Sequence, residues 1–391
     1  MKKYIYLLFA GLSWIGANAQ LDSKAYISNY GKLNNSFFLI KHQKPVKVVF
    51  LGGSITDMKG WRKQVMAMLE KQYPEVKFDF LNAGIPSLGS LPHAFRLKTD
   101  VLDKGKVDLL FVESAVNDRV NETSEKIQRR ALEGIIRQSL ASNPEMDLVM
   151  MAFVDPDKMN DYHTGKVPVE VQVHEDMAKY YHLPFINLAK EVTDRINTGE
   201  FTWEKDFKDL HPAPFGQELY AHTIQTLLLY NDGLKQKGLE VRKLPEAMDK
   251  GNYSHGNYYG IQHAKSLKGF VQRPDWTPAD GVSARNGFNH VPVLEGSSAG
   301  DAFVLDFEGS VIGVACLAGP DAGIVEYTID GKSYPALDLY TQWSKGLHLP
   351  WYKLLADDLG KGKHRLELKI SGQKNESSGG HAVRLVNFLI N

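Results

Sequence analysis

The sequence is poor in three features that would each assign it to a particular class of protein. Its 391 residues include one cysteine, Cys316, in an apolar run that predicts a buried thiol, so no disulfide can form within the chain. Its 46 acidic and 46 basic side chains cancel, which leaves no net charge to attract nucleic acid or an anionic membrane surface. No apolar run reaches the roughly 18 residues that a membrane-spanning helix needs. We therefore expect a chain held together by its hydrophobic cores, with no nucleic acid as a partner and no stable insertion into a membrane.

The first residues have the pattern of an export signal. Two lysines are followed by an apolar stretch from Tyr4 to Ile15, and an A-x-A cleavage pattern ends at Ala19. The apolar stretch is too short to span a bilayer. We predict a signal peptide over residues 1–19, a mature chain that begins near Gln20, and a periplasmic or secreted protein.

The length of the chain and a change in its sequence pattern indicate two domains. The chain exceeds the size at which a single hydrophobic core keeps growing. Over residues 20–231, short apolar runs alternate with amphipathic stretches, which is typical of a doubly wound parallel sheet with helices on both faces. Residues 232–300 begin with a charged stretch and continue with one rich in glycine, tyrosine and asparagine; we predict a linker and an irregular strap there. Over residues 301–391, short alternating runs and glycine-rich turns predict a jelly-roll-like β-sandwich.

Polar segments follow three of the predicted parallel strands. The strands of the first domain are predicted at residues 46–51, 78–81, 107–112, 148–153 and 185–188. Gly52-Gly53-Ser54 follows the first strand, residues 82–89 follow the second, and residues 113–118 follow the third. Ligands of doubly wound sheets bind beyond the carboxyl ends of the strands, so we expect these segments to meet at one edge. Taken singly, each segment is an ordinary turn braced by local hydrogen bonds.

A serine and a histidine in this arrangement predict nucleophilic chemistry. Ser54 lies on a glycine-rich turn that exposes its hydroxyl, and a serine hydroxyl needs an adjacent base to become a nucleophile. His211, which precedes the last helical stretch of the first domain, offers that base. The tetrahedral intermediate also needs N–H donors, for which the side chain of Asn117 and the backbone of Ser87 or Gly89 are candidates. These residues together predict hydrolytic acyl transfer.

In order and spacing the four segments resemble the SGNH, or GDSL-like, hydrolase superfamily, whose members carry a serine, a glycine, an asparagine and a histidine in successive blocks. The resemblance covers roughly residues 47–228. Within the first three blocks, three positions depart from the family pattern: Gly53 replaces the aspartate of the GDSL motif, Ser87 replaces the glycine of the second block, and Ala115 replaces the usual glycine of the third. The resemblance implies a flavodoxin-like α/β fold and a carboxylic ester hydrolase that needs no metal or other cofactor.

The resemblance also implies a role for each residue. Ser54 would attack an ester carbonyl and form an acyl-enzyme, with His211 as base and then as acid for the leaving alcohol. The backbone N–H groups of Ser54 and Ser87, with the side-chain amide of Asn117, would form the oxyanion hole.

The carboxylate that completes a triad in this family is not in its usual place. The family has an aspartate three residues before the histidine, where this chain has Lys208. Three arrangements remain open: Asp209 serves through a shifted loop, Asp206 reaches in, or a backbone carbonyl orients a Ser-His dyad. The loss of a correctly placed carboxylate can lower the rate of a triad enzyme by about 10⁴.

Aromatic residues of the second domain point to a carbohydrate. The span 338–352 combines aromatic and polar side chains, which suit sugar rings but also form ordinary sandwich cores. The candidate substrate-binding residues are Trp343, His348 and Trp351, with Gly89 and Glu113 of the first domain. We predict an O-acetylesterase that acts on an acylated carbohydrate or another small ester. The alternatives are a carbohydrate-binding protein on an inactive hydrolase scaffold and a glycan-active enzyme of another reaction type; nothing in the sequence specifies an oligomeric state.

Overall fold

The apolar runs of the first half of the chain form a central sheet. The computed structural model describes residues 21–391, so the predicted signal peptide lies outside the described residues. The central strands are apolar throughout because helices cover both faces of the sheet, and Phe50 and Phe111 are completely buried. The strands are β1 (Ile27–Asn29), β2 (Val46–Gly52), β3 (Phe78–Gly84), β4 (Leu109–Glu113), β5 (Asp147–Ala152) and β6 (Pro184–Asn187).

Amphipathic stretches form the helices that cover this sheet. They are α1 (Asn34–Lys41), α2 (Ser54–Asp57), α3 (Trp61–Gln72), α4 (Ser90–Asp100), α5 (Ala115–Val120), α6 (Glu125–Ser142), α7 (Pro156–His163), α8 (Val169–Tyr180), α9 (Leu188–Asn197) and α10 (Pro214–Asp232). Ser124 and Asp155 accept hydrogen bonds from the first turns of α6 and α7, which satisfies N–H groups that have no acceptor within the helix. A π-helical turn, Trp203–Phe207, lies before α10. Within residues 21–391, none of the helices has the length and apolarity to cross a membrane.

The strand order places a crevice near the centre of the sheet. The order is β1-β6-β5-β4-β2-β3, with β2 to β6 parallel and β1 antiparallel to β6. From β2 the chain moves to β3 on one side, and from β4 it moves to β5 and β6 on the other. The loops after β2 and β4 therefore border the switch point at which such sheets bind ligands. This topology confirms the predicted doubly wound, flavodoxin-like sheet.

Two antiparallel sheets form the second domain. Its strands are β7 (Asn257–Gly260), β8 (Lys265–Lys268), β9 (Val271–Trp276), β10 (Val291–Gly296), β11 (Ala302–Gly309), β12 (Ile312–Ala318), β13 (Ile324–Ile329), β14 (Lys332–Ser333), β15 (Leu337–Asp338), β16 (Leu349–Ala356), β17 (Gly362–Ile370) and β18 (Val383–Ile390). One sheet has the order β16-β12-β18-β10-β9, with β7 beside β18; the other has the order β14-β13-β17-β11-β8, with β15 beside β13. The predicted C-terminal β-sandwich is confirmed. Cys316 is buried on β12, and burial raises the pKa of its thiol to about 12.

The segment 232–300 differs from the predicted linker and irregular strap because it supplies four strands, β7 to β10. The side chains of β8 and most of those of β9 are exposed, since these strands lie at the edges of their sheets. Their residues therefore show no apolar alternation that would predict a strand. Strand β16 also begins inside the span 338–352, where the sequence combines aromatic and polar side chains.

The two domains are joined by buried contacts. Tyr253, Tyr352 and Leu389 pack into the same hydrophobic cluster as the core of the α/β domain. Arg130 on α6 donates hydrogen bonds to Asp249 at 2.7 Å and to Asp358 at 2.8 Å. The second domain is therefore fixed against the first and can contribute residues to a site at their border.

Candidate active site

The loops after β2 and before α10 bring a serine hydroxyl and a histidine ring together. Ser54 Oγ and His211 Nε2 lie 2.8 Å apart, although 157 residues separate them along the chain. At this distance a neutral imidazole can accept the hydroxyl proton at Nε2. The residues predicted as nucleophile and base are thus in direct contact at the switch-point crevice.

The turn between β2 and α2 presents the serine. A side chain on Gly53 would lie 2.0 Å from Nδ2 of Asn117, so glycine permits the asparagine amide to approach this turn closely. Ser54 is the first residue of α2, and its N–H therefore has no acceptor within the helix. A free backbone donor and a side-chain amide therefore lie at the turn that presents the hydroxyl, and donors of both kinds can form an oxyanion hole.

Ser87 lies in the loop between β3 and α4, next to this turn. A side chain on Gly53 would lie 3.4 Å from the carbonyl oxygen of Leu88, the neighbour of Ser87. The φ of Ser87 is +73°, a left-handed conformation that favours glycine. The chain departs from the family glycine at this position, yet its backbone has a conformation that suits glycine. The Ser87 carbonyl accepts a hydrogen bond from Asn121 Nδ2 at 2.9 Å.

Two buried carboxyl groups lie behind these loops. Asp118 Oδ1 accepts hydrogen bonds from the backbone and hydroxyl of Ser90 at 2.8 and 2.9 Å, and a side chain on Gly89 would lie 2.4 Å from that oxygen. Glu113 Oε1 accepts from two backbone N–H groups at 3.3 and 3.4 Å. Burial raises the pKa of Glu113 and of Asp118 to about 7. The structure therefore gives Gly89 a packing role and does not bring the buried Glu113 to the surface where a substrate would bind.

Of the nearby carboxylates, Asp209 is the one placed at the histidine ring. Asp209 Oδ1 lies 3.4 Å from His211 Nδ1 and accepts a hydrogen bond from the His211 backbone N–H at 3.0 Å. Asp206 instead accepts a hydrogen bond from the Thr202 backbone N–H at 2.8 Å. Lys208, with φ of +76°, turns the chain between the two aspartates. The side chains of His211 and Asp209 are 47% and 64% exposed, so their contact faces water.

Gln217 on α10 connects the loop that contains His211 to the start of α3 through two hydrogen bonds. Its Oε1 accepts a hydrogen bond from the Trp61 backbone N–H at 3.0 Å, and its Nε2 donates to the Pro212 carbonyl at 3.3 Å. A side chain on Gly216 would lie 2.6 Å from Pro212, so glycine allows α10 to pack closely under this loop. These contacts hold the two loops in a fixed relation.

Trp351 of the second domain lines a cavity of about 200 Å³ together with Ser87. Trp351 is largely buried, and the ring of Trp343 packs on it with centroids 5.9 Å apart. His348 is buried, with Nε2 2.9 Å from Asp280 Oδ2, and the structure does not bring it to the surface. The aromatic candidates therefore contribute mostly to the core, and Trp351 borders the loop that contains Ser87.

One residue at the site carries no sequence signal. Arg285, in the loop between β9 and β10, donates a hydrogen bond from Nη2 to Ser87 Oγ at 3.1 Å. It belongs to the segment predicted as a strap and lies in no motif. Only the folded arrangement of the two domains brings it to Ser87.

A comparison with protein families supports the resemblance drawn from the motifs. Residues 50–219 match the GDSL-like lipase and acylhydrolase family. This range contains Ser54, Asn117 and His211, and the match confirms the resemblance. No curated protein matches the chain.

Two solved structures share both domains of this fold. One is a two-domain esterase, CEX, active on acetylated mannans and co-crystallised with mannopentaose; it is 22% identical, with a TM-score of 0.77 over 95% of this chain and 98% of that chain. The other, also of a two-domain esterase (CEX) active on acetylated mannans, is 21% identical, with a TM-score of 0.79 over the same shares. At these identities the likeness shows the fold.

Proposed function

We propose that this ester hydrolase of the GDSL-like kind removes O-acetyl groups from carbohydrates through an acyl-enzyme on Ser54. The observation that carries the proposal is the 2.8 Å contact between Ser54 Oγ and His211 Nε2, with the Asn117 amide beside the turn that presents the serine. A protein that only binds sugars has no need of a base on a serine hydroxyl.

The geometry supports the following reaction. Ser54 Oγ attacks the carbonyl carbon of the acetyl ester while its proton moves to His211 Nε2. The carbonyl oxygen becomes an oxyanion that accepts hydrogen bonds from the backbone of Ser54 and Ser87 and from the Asn117 amide. When the intermediate collapses, the bond to the sugar oxygen breaks and Nε2 returns the proton to that oxygen. A donor of this kind contributes about 3 kcal/mol to the transition state.

Water completes the cycle. The His211 ring takes a proton from water as the water attacks the acetyl carbonyl, and the ring then protonates Ser54 Oγ as acetate leaves. Asp209 supports both the acylation and the deacylation step, because a carboxylate at Nδ1 of His211 favours the tautomer whose Nε2 lone pair faces the serine.

The substrate class is proposed from the second domain. Trp351 lines a cavity together with Ser87, and Trp343 packs on Trp351; aromatic rings suit the apolar faces of sugars. The likeness to CEX over both domains makes an acetylated mannan the first substrate to test.

The pattern of residues 1–19 supports the further proposal that the enzyme works in the periplasm or outside the cell. Expression in a host with a functional export pathway should yield a mature chain that begins near Gln20. Mass spectrometry of the purified protein measures that terminus, and an uncleaved chain retained in the cytoplasm would contradict the proposal.

The central experiment replaces the nucleophile. Ser54→Ala should lower kcat for 4-nitrophenyl acetate by at least 10³-fold with an unchanged melting temperature, because the covalent route is lost. A fluorophosphonate should label wild type at Ser54, as mapped by peptide mass spectrometry. Ser377→Ala, an exposed serine of the second domain, is the matched control and should keep full activity.

Release of acetate from acetylated mannan and acetylated xylan tests the substrate class. We expect acetate from at least one glycan with wild type and none with Ser54→Ala. Hydrolysis that persists in Ser54→Ala would show another reaction type. Glycan affinity without labelling or acetate release would show a binding protein on an inactive scaffold.

A further inference from the structure

Arg285 links the second domain to the loop between β3 and α4, which contains Ser87. Its Nη2 donates to Ser87 Oγ at 3.1 Å. Its backbone N–H donates to the His348 carbonyl at 2.8 Å, and the His348 N–H donates to the Ser283 carbonyl at 2.9 Å. The His348 ring also contacts Asp280 of the same loop. The base of the Arg285 side chain is thus held by the β-sandwich while its guanidinium reaches the α/β domain.

The guanidinium of Arg285 has no counter-ion among residues 21–391, in contrast to Arg130 and Arg384, which pair with carboxylates. Its Nε is buried without a hydrogen-bond partner, and burial lowers the pKa of the group. Partial burial of a cation that pairs with no carboxylate costs free energy of desolvation. Packing alone gives no reason to keep an arginine here.

The acceptor, Ser87, is equally unusual. A non-glycine residue with positive φ costs roughly 1 kcal/mol, and glycine would avoid that cost. The serine side chain makes the hydrogen bond to Arg285, which glycine cannot. Asn121 of the first domain donates to the Ser87 carbonyl, and Arg285 of the second domain donates to the Ser87 hydroxyl. One side chain from each domain therefore holds this turn. The carbonyl of Leu88, the next residue, and the Asn117 amide both lie against Gly53, beside the nucleophile.

We propose that Arg285 is a positioning residue for the oxyanion hole: through Ser87 Oγ it fixes the Ser87 turn, so that the second domain is required even for esters too small to touch it. The inference rests on the proposed function. An oxyanion donor is effective only when it is held in place before the reaction, so a loosened turn slows chemistry without weakening the binding of a small substrate.

Turnover of 4-nitrophenyl acetate tests the inference. Arg285→Ala and Arg285→Gln should each lower kcat by about 10- to 100-fold with KM changed less than about threefold, and Arg285→Lys should recover part of the loss. Arg365→Ala, an exposed arginine of β17, is the matched control and should match wild type. Melting temperatures establish that each variant is folded.

A double-mutant cycle identifies the route of action. Ser87→Ala removes the acceptor while leaving a side chain at the same backbone angles, and its loss in kcat should resemble that of Arg285→Ala. If Arg285 acts through Ser87, the double variant should be no slower than the slower single variant, within about twofold. Losses that multiply would overturn the inference, and so would an Arg285→Ala enzyme that turns over at the wild-type rate. Activity that survives Ser54→Ala would instead refute the proposed function itself.

Discussion

At the scale of single residues, the contact between Asp209 and His211 is exposed to solvent. The carboxylate lies 3.4 Å from Nδ1, so it favours the productive tautomer, but water competes for both groups. We expect Asp209→Asn to lower kcat for 4-nitrophenyl acetate by about 10- to 10³-fold, less than the 10⁴ of a buried triad carboxylate. Steady-state kinetics at neutral pH measure the effect.

Asp206 provides the control for this prediction. Its carboxylate accepts a hydrogen bond from the Thr202 backbone and lies in the same exposed loop. Asp206→Asn should change kcat by less than about threefold. If Asp206→Asn were the damaging variant and Asp209→Asn were neutral, the assignment of the third member would be reversed.

Glu113 connects pH to stability. Burial raises the pKa of its carboxyl to about 7, so the folded chain holds a proton that the unfolded chain releases near pH 4.5. The unfolded state thus binds fewer protons between these values, and the stability due to Glu113 falls as pH rises from about 4.5 to about 7. Glu113→Gln removes this dependence while an amide oxygen still accepts both backbone hydrogen bonds.

We therefore expect the free energy of unfolding of wild type, relative to Glu113→Gln, to fall by on the order of 2 kcal/mol between pH 5 and pH 8. Urea unfolding at the two pH values measures the difference. Asp118, raised in the same way, stays in both proteins and cancels to a first approximation. An equal difference at both pH values would contradict a titrating Glu113.

At the scale of elements, the turn between β2 and α2 depends on the approach of α5. A methyl group on Gly53 would lie 2.0 Å from Asn117 Nδ2, so Gly53→Ala must displace the amide or the nucleophile. We expect kcat to fall by at least about 100-fold, the order of an oxyanion donor, with a stability loss of about 1–3 kcal/mol.

Gly233→Ala is the matched control for this turn. Gly233 has helical backbone angles at the end of α10, and an added methyl group would meet nothing closer than 3.5 Å. It should leave kcat unchanged. A Gly53→Ala enzyme as active as Gly233→Ala would show that Asn117 takes no part in the reaction.

The elements that sequence could predict are those with local signals. Strands such as β2 are buried on both faces and therefore apolar throughout, and the turn that presents Ser54 has its own glycines. The edge strands β8 and β9 have no such signal because their side chains face solvent. The tryptophan and tyrosine of β16 resemble a sugar-binding surface in the sequence, but in the fold both are buried.

The parts of the site that sequence could not settle depend on backbone angles and on distant contacts. Lys208, which lies between Asp206 and Asp209, has a positive φ that its residue type does not indicate. Arg285 reaches Ser87 across 198 positions of sequence through the packing of two domains. No sequence motif indicates either of these features.

At the scale of the whole molecule, we expect the interface to make the two domains unfold as one cooperative unit. Tyr253, Tyr352 and Leu389 belong to the same buried cluster as the α/β core. Arg130 adds a set of ion pairs at the border, with Asp249 at 2.7 Å and Asp358 at 2.8 Å. Because the loop that contains Ser87 is in contact with the second domain, we expect loss of this interface to affect activity as well as stability.

Arg130→Met tests this cooperativity, since methionine keeps much of the apolar stem and removes the charge. The partner carboxylates are partly exposed, so the expected loss is about 2 kcal/mol, below that of a fully buried pair. Arg365→Met, whose partner is also exposed, should lose less than about 0.5 kcal/mol. Urea unfolding followed by tryptophan fluorescence, far-UV circular dichroism and residual esterase activity should give a single midpoint for wild type, shifted to lower urea in Arg130→Met. Separate midpoints for wild type would show that the two domains unfold independently. In that case, Arg285 alone would have to explain why the turnover of small esters requires the second domain.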